Sequence, residues 1–367
     1  MPERRMAKDR RQHLYFAFDD WVSGYTIRKV RLSLGSIKGA EQPLSPRSGE
    51  GEGTVQPMPG VFMAIEGPRR CGMYFTSAFG AKIVVLHPRE PDITAIPILD
   101  VKDRRCIFGP EPNYPSCPIY FPVGEDRLFA LDTGKFSVCI WTPDRSGPWV
   151  WQELTYPPFA RYEVSSYAVQ PDGCILVSTK IVAAAAGMAA FIRTAGTATF
   201  IFDTKAYLWE RYGDWTLPFT GRGHYDLSLE AFVGLSKEPE TLGYLYSCTL
   251  DSTNPYPECK RSKEKVYNEN PAERHVSATL VHMRRGKFCL VECVSIDNVR
   301  SDQELTEPGA AGGLLQSSRF MYRLKIFSLR YDKNGDLKLK HCRVRYYSLP
   351  HETTSQFIRQ DPVAFWL

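Results

Sequence analysis

The sequence is poor in the marks of the commonest function classes, and each absence narrows what the chain can be. Its 367 residues hold no window of about eighteen consecutive apolar residues, so no membrane-spanning helix and no membrane partner are expected. The most apolar stretch, Ile181 to Ile192, is too short to cross a bilayer and is interrupted by Gly187. The first residues lack the apolar core of a secretory signal, which points to the cytoplasm or the nucleus. Residues 1–12 read as a basic, solvated tail, with Arg4, Arg5, Lys8, Arg10 and Arg11 broken up by Glu3 and Asp9. The ten cysteines include no Cys-x-x-Cys pair and no histidine at zinc-finger spacing, so no metal is expected. In a chain of this size, thiols so scattered read as small buried hydrophobes. Gly-x-Ser-x-Gly, His-Glu-x-x-His and the phosphate-binding glycine loop are all missing. No catalytic residue and no cofactor is therefore assigned, and the chain is read as a non-enzyme. A strong charge imbalance is missing too. The 46 basic and 41 acidic residues leave a net charge of +5, too mild to mark a nucleic-acid partner.

What the sequence has in quantity is punctuation. Its 27 glycines and 27 prolines are spread along the whole length, between short apolar runs. That pattern belongs to many strands and turns, not to a few long helices. Three hairpins can be read directly. Leu14 to Leu34 turns at Ser23-Gly24, Ser165 to Thr179 turns at Pro171-Asp172-Gly173, and Tyr322 to Val344 turns at Asn334-Gly335. Polar stretches near 36–59, 251–274 and 302–317 read as flexible insertions or surface loops within a single domain covering 13–367.

A partial internal repeat is the most informative feature. One copy runs Leu131-Asp132-Thr133, then Trp149, Trp151, Leu154 and Pro157-Pro158-Phe159. The other runs Phe202-Asp203-Thr204, then Trp209, Trp215, Leu217 and Pro218-Phe219. An aspartate ending a strand caps a sharp turn by accepting from nearby backbone N–H groups. Tryptophans on the next strand fill the wide space between neighbouring sheets. Such a unit cannot bury both its faces alone, so several must pack around an axis. The expected fold is all-β, a β-propeller of six or seven four-stranded blades with long surface loops, and Leu14 to Phe18 are expected to complete the last blade by pairing with the C-terminal strands.

The second copy, extended by Gly213-Asp214-Trp215, His224-Tyr225-Asp226, Leu229 to Leu235 and Gly243-Tyr244-Leu245, resembles kelch-type and F-box-associated propeller blades. More specifically, it is similar to a grass-expanded plant family of unknown function with a kelch-like domain. The resemblance covers about Phe200 to Cys248 and, more loosely, Arg127 to Phe159. It implies an interaction module, in some relatives part of a ubiquitin-ligase adaptor, in plant development, reproduction or defence. Neither copy carries the Gly-Gly pair of kelch blades, and no Leu-Pro-rich helical segment precedes the first strand.

Within this frame His224 and Asp226 form the best candidate constellation, because residues two apart on a strand share a face. A histidine oriented by a carboxylate could switch charge near neutral pH. The blander reading makes Asp226 a turn cap. Asp132 and Asp203 likewise read as caps, and the tryptophans as packing between sheets. The expected function is the binding of a protein partner through propeller loops. The alternative is a glycan-binding or sugar-processing propeller, with tryptophans exposed as a platform and paired carboxylates in the channel.

Overall fold

The computed structural model of the chain describes residues 12–32, 55–67, 69, 72–86, 95–110, 116–142, 149–180, 196–251, 256–296 and 320–367. These form six sheets, in chain order around a ring. The first holds β1 (Leu14–Trp21), β2 (Gly24–Val30) and, beyond the short β3 (Gln56–Pro57), β4 (Val61–Glu66). The second holds β5 (Phe75–Ala78), β6 (Lys82–Val85), β7 (Ala95–Asp100) and β8 (Arg105–Pro110). The third holds β9 (Ile119–Val123), β10 (Arg127–Asp132), β11 (Lys135–Ile140) and β12 (Trp151–Glu153). The fourth holds β13 (Val164–Val169), β14 (Ile175–Thr179), β15 (Ala198–Asp203) and β16 (Leu208–Gly213), with β17 (Gly221–Arg222) lying parallel to β13. The fifth holds β18 (His224–Asp226), β19 (Ala231–Leu235), β20 (Leu245–Thr249) and β21 (Glu258–Arg261). The sixth holds β22 (Glu273–His282), β23 (Lys287–Ile296), β24 (Phe320–Tyr331) and β25 (Leu337–Ser348), with β3 added in parallel at its outer edge. A short helix, α1 (Ser355–Ile358), then leads to β26 (Ala364–Trp366).

The last strand closes the ring. β26 pairs with β1 in antiparallel register, Tyr15 opposite Phe365, and becomes the fourth strand of the first blade. This is the expected pairing of the N-terminal strand with the C-terminal chain. The three expected hairpins also form, as β1–β2, β13–β14 and β24–β25.

Strand alternation gives every sheet two apolar faces, and each face finds its partner on the next blade. Leu14, Phe16, Phe18 and Tyr25 pack with residues of the second and sixth blades. Tyr120, Leu128 and Ala130 meet the second blade's Val84, Ile96 and Ile98. Phe129 and Phe136 meet Phe202 edge-on, at 5.7 and 4.9 Å between ring centres. Leu176 joins Phe232 of the fifth blade, and Val233 joins Leu290 of the sixth. The core is thus a ring of interblade layers.

Two expectations are corrected. The stretch 251–274 is not a plain surface loop. It carries β21, whose residues pair with β20, and its Val266 and Tyr267 are buried against the sixth blade. Its apolar residues are too few to stand out by periodicity, yet they suffice to seal one edge. Cys248 and Cys259 are not isolated thiols. They face each other across β20 and β21, with Cα atoms 4.2 Å apart, and form a disulfide. Most of 36–59, all of 302–317 and residues 1–11 lie outside the described residues.

Candidate functional site

The repeat residues have structural work. Asp132 accepts from the backbone N–H groups of Ser116 (2.6 Å), Cys117 (2.8 Å) and Thr133 (2.7 Å), and from the Ser116 hydroxyl. Asp203 accepts from Lys205 and Ala206 N–H at 2.7 and 3.0 Å, and these two bonds hold its carboxyl below the usual range. Both are turn caps. Thr133 is exposed, whereas buried Thr204 donates to the Gly173 carbonyl and its own carbonyl accepts from Arg127, tying the third blade to the fourth.

None of the seven tryptophans is exposed. Trp149 donates to the Cys139 sulfur at 3.0 Å and Trp151 to the Pro110 carbonyl of the second blade at 3.0 Å. Trp209 packs on Phe136 and Phe202, and Trp215 is buried beside Leu217. The indoles therefore fill interblade layers and form no open platform. The Pro-Phe step of each copy is the pivot to the next blade. Phe159 lies on Phe200, at 4.9 Å, and Phe219 lies on the fifth blade.

Chemistry-bearing side chains gather instead in the central channel. The strands nearest the axis are β5, β9, β13, β18, β22 and β26; β9 meets β5 and β13, β13 meets β18, and β22 meets β26. Between them lies a cavity of about 130 Å³, bordered among others by Tyr167, Arg222, His224, Tyr225 and His282. His224 Nε2 lies 3.0 Å from the Leu280 carbonyl oxygen. A carbonyl only accepts, so Nε2 carries the proton and Nδ1 is bare. Burial, reinforced by Arg222 and His282, holds the imidazole well below its ordinary pKa, so it is neutral at pH 7.

Asp226 is fully buried at the end of β18. It caps its turn, accepting from Ser228 N–H (2.9 Å), the Ser228 hydroxyl (2.5 Å) and Leu229 N–H (3.1 Å). Its other oxygen accepts from Gly286 N–H (2.6 Å) and His282 Nε2 (2.7 Å). Burial pushes its carboxyl up, but the Ser228, Gly286 and His282 donors outweigh burial and leave it below the usual range. Sequence spacing paired Asp226 with His224. The structure pairs it with His282, 56 residues away. The two imidazoles stand 5.9 Å apart, centre to centre.

Arg222 is the other residue that the sequence pattern did not flag. β17 is only two residues long, but its register sets Arg222 beside Tyr167, and Gly223 N–H donates to the Tyr167 carbonyl at 2.7 Å. Arg222 reaches the water of the channel, and no acidic side chain among the described residues pairs with it. The surrounding protein lowers its pKa by desolvation, though a guanidinium stays charged. No local window could have shown this site, because it is assembled from inner strands of different blades.

A second depression, of about 700 Å³, shares Tyr225 with the channel cavity. It lies beside the β18–β19 turn and the ends of β20 and β21, bordered by Thr249, Leu250 and Glu258. Leu227 and Tyr256 stand at its border, 78% and 62% exposed, with the carboxylates of Glu230, Asp251 and Glu258. The Cys248–Cys259 disulfide closes the base of the segment that presents Asp251 and Tyr256.

Six four-stranded blades closed around a channel define a β-propeller. Residues 11–347 match the family described as a protein of unknown function, DUF1668, and the chain belongs to that family. No curated protein sequence matches it. Among solved structures it is similar to a protein from Lactobacillus plantarum, 11% identical over 97% of this chain and 99% of that one, with a TM-score of 0.44. It is also similar to a candidate 6-phosphogluconolactonase from Bacteroides fragilis, 9% identical over 99% of each chain, with a TM-score of 0.45. A third is Kluyveromyces lactis Hsv2, 9% identical over 77% of this chain and 89% of that one, with a TM-score of 0.36.

Proposed function

We propose that the protein is a non-catalytic interaction module that docks a basic, apolar-anchored segment of a protein partner in the depression on the fifth blade. The observation that carries this reading is the company kept by Leu227 and Tyr256. Two large apolar side chains stand exposed beside three carboxylates, in a depression of about 700 Å³. An exposed leucine or tyrosine gains by covering, and the acidic character around it, with Glu230 and Asp251 beside a Glu258 that also meets Lys260 at 3.1 Å, favours a positively charged partner. Leu227, in the β18–β19 turn, and Tyr256, beside β21, sit on a rigid ring, where residues outside the strands are free to serve recognition. The resemblance of the second repeat copy to kelch-type and F-box-associated blades supports a protein partner in the cytoplasm or nucleus, including a place in a ubiquitin-ligase adaptor.

The test is fluorescence anisotropy with labelled peptides of matched length, one set Lys/Arg-rich around a leucine or aromatic residue, one acidic and one neutral. Basic peptides are expected to bind more weakly as salt rises, and Leu227→Asp is expected to reduce affinity at least tenfold. Equal binding of all three sets, or an unaffected Leu227→Asp variant, overturns the reading. Subunits of a ubiquitin ligase captured by the wild-type chain and lost with Leu227→Asp support the adaptor role.

A further inference from the structure

We propose that the central channel contains a binding site for a small oxyanion, a phosphate or carboxylate group, with Arg222 as its principal ligand and His224 and His282 beside it. The site is separate from peptide docking on the fifth blade and does not depend on it.

The argument begins with unbalanced charge. Arg28 and Arg323 meet Asp20 and Glu292, as arginines held within a fold usually do. Arg222 stands among the inner strands with no such partner among the described residues, and the residues bordering its cavity include no carboxylate. Asp226, the acid nearest in the chain, is turned away. Its two oxygens are committed to Ser228, Leu229, Gly286 and His282. Arg222 is exposed to the channel water with no described acid opposite it, so its positive charge is unbalanced at the cavity, and an anion is the group that balances it. Its planar fork matches two oxygens of a carboxylate or phosphate.

Placement supports the same reading. Arg222 is not a frayed surface side chain. Its backbone is fixed by the parallel pairing with Tyr167, and the next residue, Gly223, lies so close to the Phe219 ring that a Cβ there would collide with it. The chain therefore runs rigidly through the position that aims Arg222. His224 has its Nε2 proton tied to Leu280, and His282 has its Nε2 proton tied to Asp226, so each offers Nδ1 as its remaining ring nitrogen. An anion beside His224 favours its protonated imidazole, in which Nδ1 becomes a donor. The cavity, about 130 Å³, is well above the roughly 10–15 Å³ that one water needs, and it is of the scale of a small oxyanion with its waters.

The test is calorimetric titration of the full chain with inorganic phosphate, and separately with acetate, in a low-chloride buffer. Saturable binding of at least one anion to a single site is expected, and the preferred anion tells a tetrahedral ligand group from a planar one. Arg222→Gln is expected to weaken binding at least tenfold, and Arg222→Lys, which keeps the charge but loses the fork, by less. Histidine ring resonances give a readout in the wild-type chain itself: those of His224 and His282 should shift on addition of the anion, and those of exposed His351 should not. Leu227→Asp is expected to bind the anion normally, which separates failure of this site from failure of the peptide groove. No saturable binding of either anion, or full affinity in Arg222→Gln, overturns the proposal.

Discussion

At the scale of single residues, the two aspartates of the repeat differ in what they hold. Asp132 is 9% exposed and satisfies three backbone N–H groups, one in its own turn and two in the segment before β9. Asp203 is exposed and serves only its own turn. Asp132→Ala should therefore cost about 1–2 kcal/mol, because three hydrogen bonds of modest net worth are lost together while their exposed donors at Ser116, Cys117 and Thr133 can turn to water. Asp203→Ala should cost clearly less. Chemical denaturation of both variants checks the order, and equal losses would contradict it. The capping role of these residues was legible because an Asp-Thr at a strand end has few other uses. The partnership of Asp226 with His282 was not legible, because spacing along one strand says nothing about which residue the neighbouring blade presents.

At the scale of elements, the hairpins were readable wherever a Gly turn separated two alternating runs, as at Gly173 and Gly335, whose φ angles of 95° and 77° only glycine adopts freely. β21 was hidden because Glu258–Arg261 is mostly charged. Its place is set by cross-strand pairing with β20, not by burial of its own face. The junction of the fourth and fifth blades shows packing at its tightest. The Phe219 ring lies between Gly223 and Gly234, and a methyl group added at either would overlap it. Gly234→Ala is expected to destabilise by about 1–3 kcal/mol, the usual range for overpacking a filled core. Gly234→Ala combined with Phe219→Leu should recover part of that loss. Thermal melts of the single and double variants decide this, and additive losses would mean that the ring is not the obstacle.

At the scale of the whole molecule, the ring was legible from the repeat, but its blade number was not. Only two copies of the motif are strong, and the long polar stretches obscure the spacing. Six follows from counting paired sheets. Closure depends on β26. The backbone N–H of His13 donates to the Leu367 carbonyl at 2.7 Å, and Leu367 N–H returns the bond at 3.0 Å. Removing residues 363–367 should lower the melting temperature by several degrees and open Leu14–Phe18 to rapid hydrogen exchange, while the third and fourth blades stay protected. Slow exchange at Leu14–Phe18 in the truncated chain would show that the ring does not need this strand.

The same closure puts the order of synthesis at odds with the order of assembly. β1, which starts at Leu14, leaves the ribosome long before its inner partner β26, which ends at Trp366. At about 5–20 residues per second, that interval is roughly 20–70 s. Throughout it, Leu14 to Phe18 present an apolar strand with one bare edge, the kind of surface on which nascent chains pair with the wrong neighbour. A cell making this protein must shield that edge until β26 arrives, so yield on expression should depend on chaperone supply more than the stability of the finished ring would suggest.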